Sequence, residues 1–331
     1  MQFLTRLTLL SVLLAAPALL RAECMGQNLI AALPAGSRAA LVAAADAVPF
    51  ARGNLWRATK DGRIITVIGT YHLDDSRHDT TMAAVAGDLT RATTLLVEAG
   101  PDEEVAIRAD IAAHPERLVN QNGPTLPEAL SVADWQRLSV TLRDRGIPPV
   151  FAAKLHPWYV TTLLAVPACQ MNAATAQNGL DHRLIAAATA RALPIRGLEP
   201  YDTLFTLFDS IPAPDQLALL VQTLDAAGSE DDMAVTLADT YFAGQNRLFW
   251  EFSKQQTRDL SGLSAAEADR SFALLEEAMI TRRNRAWIPV ITDAATAGPV
   301  VAAFGALHLP GQDGVLNLLV QQGWAVASLV P

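Results

Sequence analysis

Four residues with chemically useful side chains stand where apolar, strand-like runs end. His72 follows Ile64–Ile68, Glu98 follows Thr93–Val97, Glu199 follows Leu193–Leu198, and His308 follows Pro299–Phe304. Imidazole ligates divalent metals and moves protons near neutral pH. Carboxylates ligate metals, orient a histidine or act as general base. In open α/β sheets, ligands bind at the carboxyl ends of parallel strands. Parallel strands here would therefore gather two imidazoles and two carboxylates on one edge. Both histidines sit in the same pattern, Gly69-Thr-Tyr-His72-Leu and Gly305-Ala-Leu-His308-Leu, each between a strand and a helix. Gly69 and Gly305 are expected to let the chain turn sharply, with positive φ open to them.

The remaining histidines read as structural. His78 falls in the polar stretch Asp74-Asp75-Ser76-Arg77 and reads as a solvated turn. His114 and His156 precede prolines, and His182 lies in a helix beside Asp181. Arg282-Arg283-Asn284-Arg285 reads as a basic cluster late in a helix, where it would favour the C-terminus. There is no Walker loop, G-x-G-x-x-G, H-E-x-x-H or G-x-S-x-G elbow.

Six strand-like runs would position the site: Gly53–Ala58, Arg63–Ile68, Thr93–Val97, Leu193–Gly197, Pro299–Phe304 and Trp324–Leu329. A helical lead covers Gly26–Ala47. Further helices cover Asp79–Arg91, Ala152–Val166 with Pro157 in its first turn, Leu180–Ala192 and Gly314–Gln322. Thr125-Leu-Pro-Glu128 is a capping box that starts another helix, and Gly146 with Pro148-Pro149 stops it. Three or four more helices fill Pro214–Ala297. The predicted fold is α/β, with a mixed, mainly parallel sheet. It is built from two related strand–G-x-x-H–helix–strand halves, with a helical insertion over about 125–297. Residues 23–331 form a single domain.

Residues 1–22 read as a secretory signal, with Arg6, an apolar stretch Leu7–Leu20 and small Ala22 at the cut. The mature chain then begins near Glu23. The alternative is retention as an anchor. No other run is long and apolar enough to span a bilayer. The 331-residue chain carries a formal charge of −9, and loss of Arg6 and Arg21 takes it to about −11. Such a chain lacks the basic footprint of a nucleic-acid or anionic-lipid binder. Its two cysteines, Cys24 and Cys169, can form one bridge in an oxidising compartment. The long loop so closed allows about 5 kcal/mol of stabilisation in the chain-entropy model.

From about Gly53 to the end, the sequence resembles the TraB/PrgY/GumN family of the TIKI-like superfamily. The resemblance rests on Gly69-Thr-Tyr-His72, Val97-Glu98, Gly179-Leu-Asp181, Gly197-Leu-Glu199, Arg283-Asn284 and Gly305-Ala-Leu-His308-Leu. Cys24-Met-Gly and Cys169-Gln resemble the cysteines of exported members. The resemblance implies an α/β core shared with TIKI proteases, erythromycin-esterase-like enzymes and ChaN-like haem binders. It implies a site of His72, Glu98, Glu199, Arg283 and His308, with Asn284 and Tyr71 as substrate contacts. TIKI members are metal-dependent proteases, so a divalent ion (Mn²⁺, Co²⁺ or Zn²⁺) held by His72, His308 and Glu98 is expected. Arg283 would stabilise developing negative charge. The function expected is metal-assisted hydrolysis of a small peptide or ester by a periplasmic or secreted protein. The alternative is a non-catalytic binding or regulatory protein for a metal, haem or peptide signal.

Overall fold

A computed structural model describes residues 24–171, 178–225, 228–260 and 264–329. The expected signal segment and the start of the mature chain lie outside these residues. Six strands form one sheet: β1 (Leu55–Lys60), β2 (Arg63–Thr70), β3 (Thr94–Val97), β4 (Ile195–Gly197), β5 (Val300–Gly305) and β6 (Ala325–Ser328). Their order is β4-β3-β5-β2-β1-β6. β4, β3, β5 and β2 are mutually parallel, and β1 runs antiparallel to both β2 and β6. Five strands therefore point one way. All six sequence-predicted strands are present within a residue or two.

The central strand shows why both faces must be covered. Val300, Ala302 and Phe304 join one apolar cluster, and Val301 and Ala303 join the other. The first cluster is closed by Trp287, Ile288 and Ile291 of helix Arg282–Ala294 and by Val315, Leu316 and Leu319 of helix Val315–Gln321. The second is closed by Val85 and Leu89 of helix His78–Arg91 and by Leu180 and Leu184 of helix Leu180–Thr189. The chain passes from β2 over one face to β3, and from β5 over the other face to β6. Right-handed crossovers that move in opposite directions require opposite faces. The carboxyl ends of adjacent β2 and β5 thus form a topological switch point, the usual seat of a ligand in such sheets.

The helical insertion has its own core, in which Leu138, Leu142, Val160, Leu164, Leu220 and Leu224 are buried together. Two expected helices are split at prolines. The lead becomes Leu29–Ala32 and Ala35–Asp46, and the expected Ala152–Val166 helix starts only at Pro157, as Pro157–Ala165, with a short helix Pro149–Ala152 before it. Each proline holds its predecessor extended, with ψ of 149° at Leu33 and 141° at His156. The Thr125–Glu128 capping box forms, but its helix is only Leu126–Ala129. A new one, Val132–Asp144, starts after Ser131. Helix Pro101–Ala113, directly after Glu98, was not anticipated. The basic cluster also sits elsewhere than expected. Arg282–Arg285 lie in the middle of one continuous helical run, immediately after its π-helical turn Glu277–Thr281.

Cys24 and Cys169 are disulfide-bonded. Among the described residues, no single helix is long and apolar enough to cross a membrane.

Candidate functional site

His72 lies two residues beyond β2, Glu98 one beyond β3 and Glu199 two beyond β4. His308 closes the 3₁₀ turn Ala306–His308 after β5. Because the four strands are parallel, all four side chains stand at one sheet edge. The π-helical turn is a common device at functional sites. Here it precedes Arg283, whose guanidinium is pointed at the same edge.

Arg283 is the hub. Its Nη2 donates to Glu98 Oε2 (2.6 Å) and to Glu199 Oε1 (2.6 Å), and its Nε donates to Glu199 Oε2 (2.9 Å). Nη1 donates to the Met279 carbonyl (3.2 Å). Glu199 Oε2 also accepts from Trp287 Nε1 (3.0 Å), and the Gly305 N–H donates to Glu98 Oε1 (2.6 Å). Burial opposes the charge on Glu98. His308, Arg283, His72 and the Gly305 N–H together outweigh it and hold the pKa at about 2. Arg283 is buried beneath both carboxylates, and their hydrogen bonds and charge raise its pKa further. Its ability to stabilise an additional negative charge, as expected from sequence, is therefore already engaged by two resident carboxylates.

His308 is 4% exposed. Asn284, the residue after Arg283, fixes the tautomer of His308. Asn284 Nδ2 donates to the carbonyls of Asp313 (2.8 Å) and His308 (3.3 Å), which turns Oδ1 toward His308 Nδ1 at 2.6 Å. Nδ1 must then carry the proton, and Nε2 presents its lone pair to Arg283 Nη1 at 3.4 Å. Burial, countered in part by Glu98 and reinforced by Arg283 and His72, pushes the His308 pKa down to about 3. The ring is neutral at physiological pH. Trp287, fully buried, packs on it at 4.4 Å between centroids and lies beneath Arg283 at 4.8 Å.

His72 has the opposite setting. Its side chain is 62% exposed, and Nδ1 lies 2.6 Å from Asp181 Oδ2. Asp181 Oδ1 accepts from Thr70 Oγ1 at 2.5 Å. The Gly179-Leu-Asp181 motif makes this pairing possible. A Cβ on Gly179 would overlap the His72 carbonyl. With glycine there, the helix start reaches β2 closely enough for the Leu180 N–H to donate to the Tyr71 carbonyl (3.0 Å). Crowding by neighbours disfavours the His72 charge. The Asp181 carboxylate and its hydrogen bond, with Glu98 behind them, prevail and raise the pKa to about 9. Asp181 is correspondingly lowered, its burial outweighed by His72. His72 is thus an imidazolium at neutral pH, open to solvent on its Nε2 side.

The centre of the site is the space in front of Gly305. A Cβ there would stand 3.3 Å from Glu98 Oε1, 3.3 Å from His72 Nε2 and 3.7 Å from His308 Cδ2. Neither motif glycine has positive φ, contrary to expectation. Both are needed for close approach instead, since a Cβ on Gly69 would press into Leu309 and Ala306.

Two expected substrate contacts are placed elsewhere. Tyr71 is 7% exposed and packs against Tyr241, His78 and Phe242. Asn284 is fully buried, with its amide committed to His308 and Asp313, so it positions the histidine. His78 is not a solvated turn residue. It is fully buried at the start of its helix, with Nε2 3.0 Å from the Leu73 carbonyl. His114, His156 and His182 contact Glu116, the Glu116 carbonyl and Glu104 respectively. Asp181 and Trp287 were not singled out as site residues from sequence. Asp181 was visible only as the last residue of Gly-Leu-Asp, and nothing in sequence marks Trp287.

The donors do not form a ready metal cage in this arrangement. Among the described residues, the one group of three donors lying within 4.8 Å of one another is Cys24, Cys169 and Asp231, and its two sulfurs are joined to each other. At His72, His308 and Glu98, the Arg283 guanidinium occupies the point toward which His308 Nε2 and Glu98 Oε2 converge. An ion would have to displace it.

Fold and site together define an α/β protein with a polar centre at the switch point of a mainly parallel sheet. The chain belongs to the TraB/PrgY/gumN family, whose model matches residues 54–328. It is 24% identical over 230 residues to the uncharacterized protein YbaP of Escherichia coli K12, covering 69% of this chain and 80% of YbaP. It is equally similar to YbaP of Shigella flexneri. No solved structure matches.

Proposed function

We propose that this protein is an exported hydrolase of peptide or ester bonds, periplasmic in a cell with two membranes, with His72 as the residue that exchanges protons with substrate. One observation carries the reading. The Nε2 edge of His72 is the open face of an otherwise saturated cluster, and it meets ionised Glu98 across the space at Gly305. A substrate carbonyl seated there has both groups in reach. Water held by Glu98 attacks the carbonyl carbon. The C–N or C–O bond breaks as His72 passes its Nε2 proton to the leaving group, and the proton released by water restores it. Arg283, held in place by Glu199, keeps Glu98 charged, and Asp181 keeps His72 aimed. Export is supported by the Cys24–Cys169 bridge, which suits an oxidising compartment, and by the apolar leader in the sequence.

The test is a peptide- and ester-library screen on exported protein, beside His72→Ala and Glu98→Gln, with chelator or with added Mn²⁺, Co²⁺ or Zn²⁺. Turnover is expected in wild type and lost in both variants. Stimulation by an ion, reversed by chelator, would support the metal-assisted form of the reaction. Stoichiometric ligand capture with no turnover would overturn the reading in favour of a binding or regulatory protein. Intact mass of the exported chain should give a start near Glu23.

A further inference from the structure

A cavity of about 280 Å³ lies against the residue that follows His72. Its wall includes Leu73, the next residue, with Leu164, Pro167, Met233, Leu237 and Phe249. The cavity lies where the helical insertion meets the His72 turn. Its shape is fixed from behind. The Arg145 side chain, 2% exposed, pairs with Glu230 at 2.5 Å and donates to the carbonyls of Thr141 (3.2 Å) and Leu164 (3.4 Å). Glu230, Thr141 and Leu164 all line the cavity, so one buried guanidinium ties three of its walls. The disulfide stands close to two of these walls. Cys169 follows Pro167 by two residues, and Asp231, next to Glu230, lies within 4.8 Å of both bridged sulfurs. A void between helices would ordinarily close by small shifts of its walls. This one is braced by a buried ion pair, and Leu73 in its wall is next in sequence to the residue proposed to exchange protons with substrate.

We infer that this cavity is the specificity pocket of the site, and that it receives an apolar group flanking the scissile bond. It has room for an aliphatic chain of roughly eight carbons at interior packing density. The inference rests on the hydrolase reading for its role, but the pocket itself can be tested without turnover. The source of the apolar group, an acyl chain or a peptide side chain, is distinguished by substrate choice.

The experiment uses the oxidised, exported chain and two pocket-filling variants, Ala234→Trp and the milder Ala234→Leu, each checked for an intact bridge and a native circular dichroism spectrum. Octanamide binding is measured by NMR titration. Ester turnover is compared as the octanoate-to-acetate ratio of kcat/KM, and peptide turnover as the ratio for leucine over glycine beside the cleaved bond. The wild type should bind octanamide, with affinity about tenfold or more weaker in Ala234→Trp and intermediate in Ala234→Leu, and the apolar-to-small ratios should fall in the same order. Binding that weakens in this way, without turnover of any substrate, keeps the pocket and removes the hydrolase reading. Turnover indifferent to chain and side-chain size, with octanamide binding unaltered or absent, keeps the hydrolase and overturns the pocket.

Discussion

His72 and His308 arise from the same local pattern and end in opposite electrostatic states. Both are held by their Nδ1 at 2.6 Å, but one partner is a carboxylate and the other an amide. His72 keeps 62% of its side chain in solvent and is driven up to about 9, whereas His308 is sealed beside Arg283 and driven down to about 3. A repeated motif thus sets where each imidazole stands, and a residue from a distant helix sets what it can do. The outer histidine carries a proton at neutral pH. The inner one accepts a hydrogen bond and helps to fix the guanidinium.

The strongest way to break this asymmetry is to remove the cation that enforces it. Arg283→Ala leaves Glu98 and Glu199 buried without their partner and is expected to cost about 3–5 kcal/mol in denaturant unfolding. In the same variant the His308 pKa, followed by NMR, should rise, because Glu98 then faces it unopposed. Near-native stability with an unmoved His308 would show that burial alone sets the difference.

The next effect is acid sensitivity. The Glu98 pKa is about 2 in the folded chain against an ordinary 4.5. Its contribution is therefore complete above about 4.5 and is lost as pH falls toward 2, on the order of 3 kcal/mol. Glu98→Gln, although less stable at neutral pH, should lack this part of the acid slope. Parallel acid profiles for the two proteins would assign the slope to other carboxylates.

An exchange of anchors sharpens the comparison further. Asn284→Asp gives His308 the kind of partner that His72 has, and Asp181→Asn does the reverse. The His308 pKa should climb in the first and the His72 pKa should fall from about 9 in the second. With His72 so exposed, Asp181→Asn should cost about 1 kcal/mol or less. Unchanged titration in both variants would remove the anchors from the explanation. The smallest effect is alkaline. His72 is raised above its unfolded value, so its pairing supports the fold fully below about 6.5 and the support fades as pH rises through 9. The stability gap between wild type and His72→Gln should narrow across that window, and a gap constant with pH would discount the ion pair.

The strands and the edge that carries His72, Glu98, Glu199 and His308 were legible because β2, β3 and β5 are dense apolar runs that mark buried strands plainly. The two G-x-x-H turns were legible as positions. Their internal geometry was not. Tyr71 stands beside His72 in sequence, yet it turns into the core among Tyr241 and Phe242 while the histidine faces out. The anchors Asp181 and Asn284 come from helices remote in sequence, and only assembly shows which imidazole each one meets. Gly69 and Gly305 look like turn glycines until the atoms that crowd them are known. The split helices at Pro34 and Pro157 reflect a backbone conflict that side-chain patterning does not register.

The position of β5 has a consequence for how the molecule comes into being. Its partners on either side, β2 and β3, belong to the first third of the chain, while β5 begins only at Val300. During synthesis, neither neighbour can complete its pairing until almost the whole polypeptide has emerged, and the intervening insertion must find its own core first. Assembly around such long-range pairings is slow and leaves strand edges open meanwhile. A chain truncated anywhere before Phe304 would therefore lack both a sheet centre and a site, which makes the last few dozen residues the checkpoint between a nascent chain and a working protein.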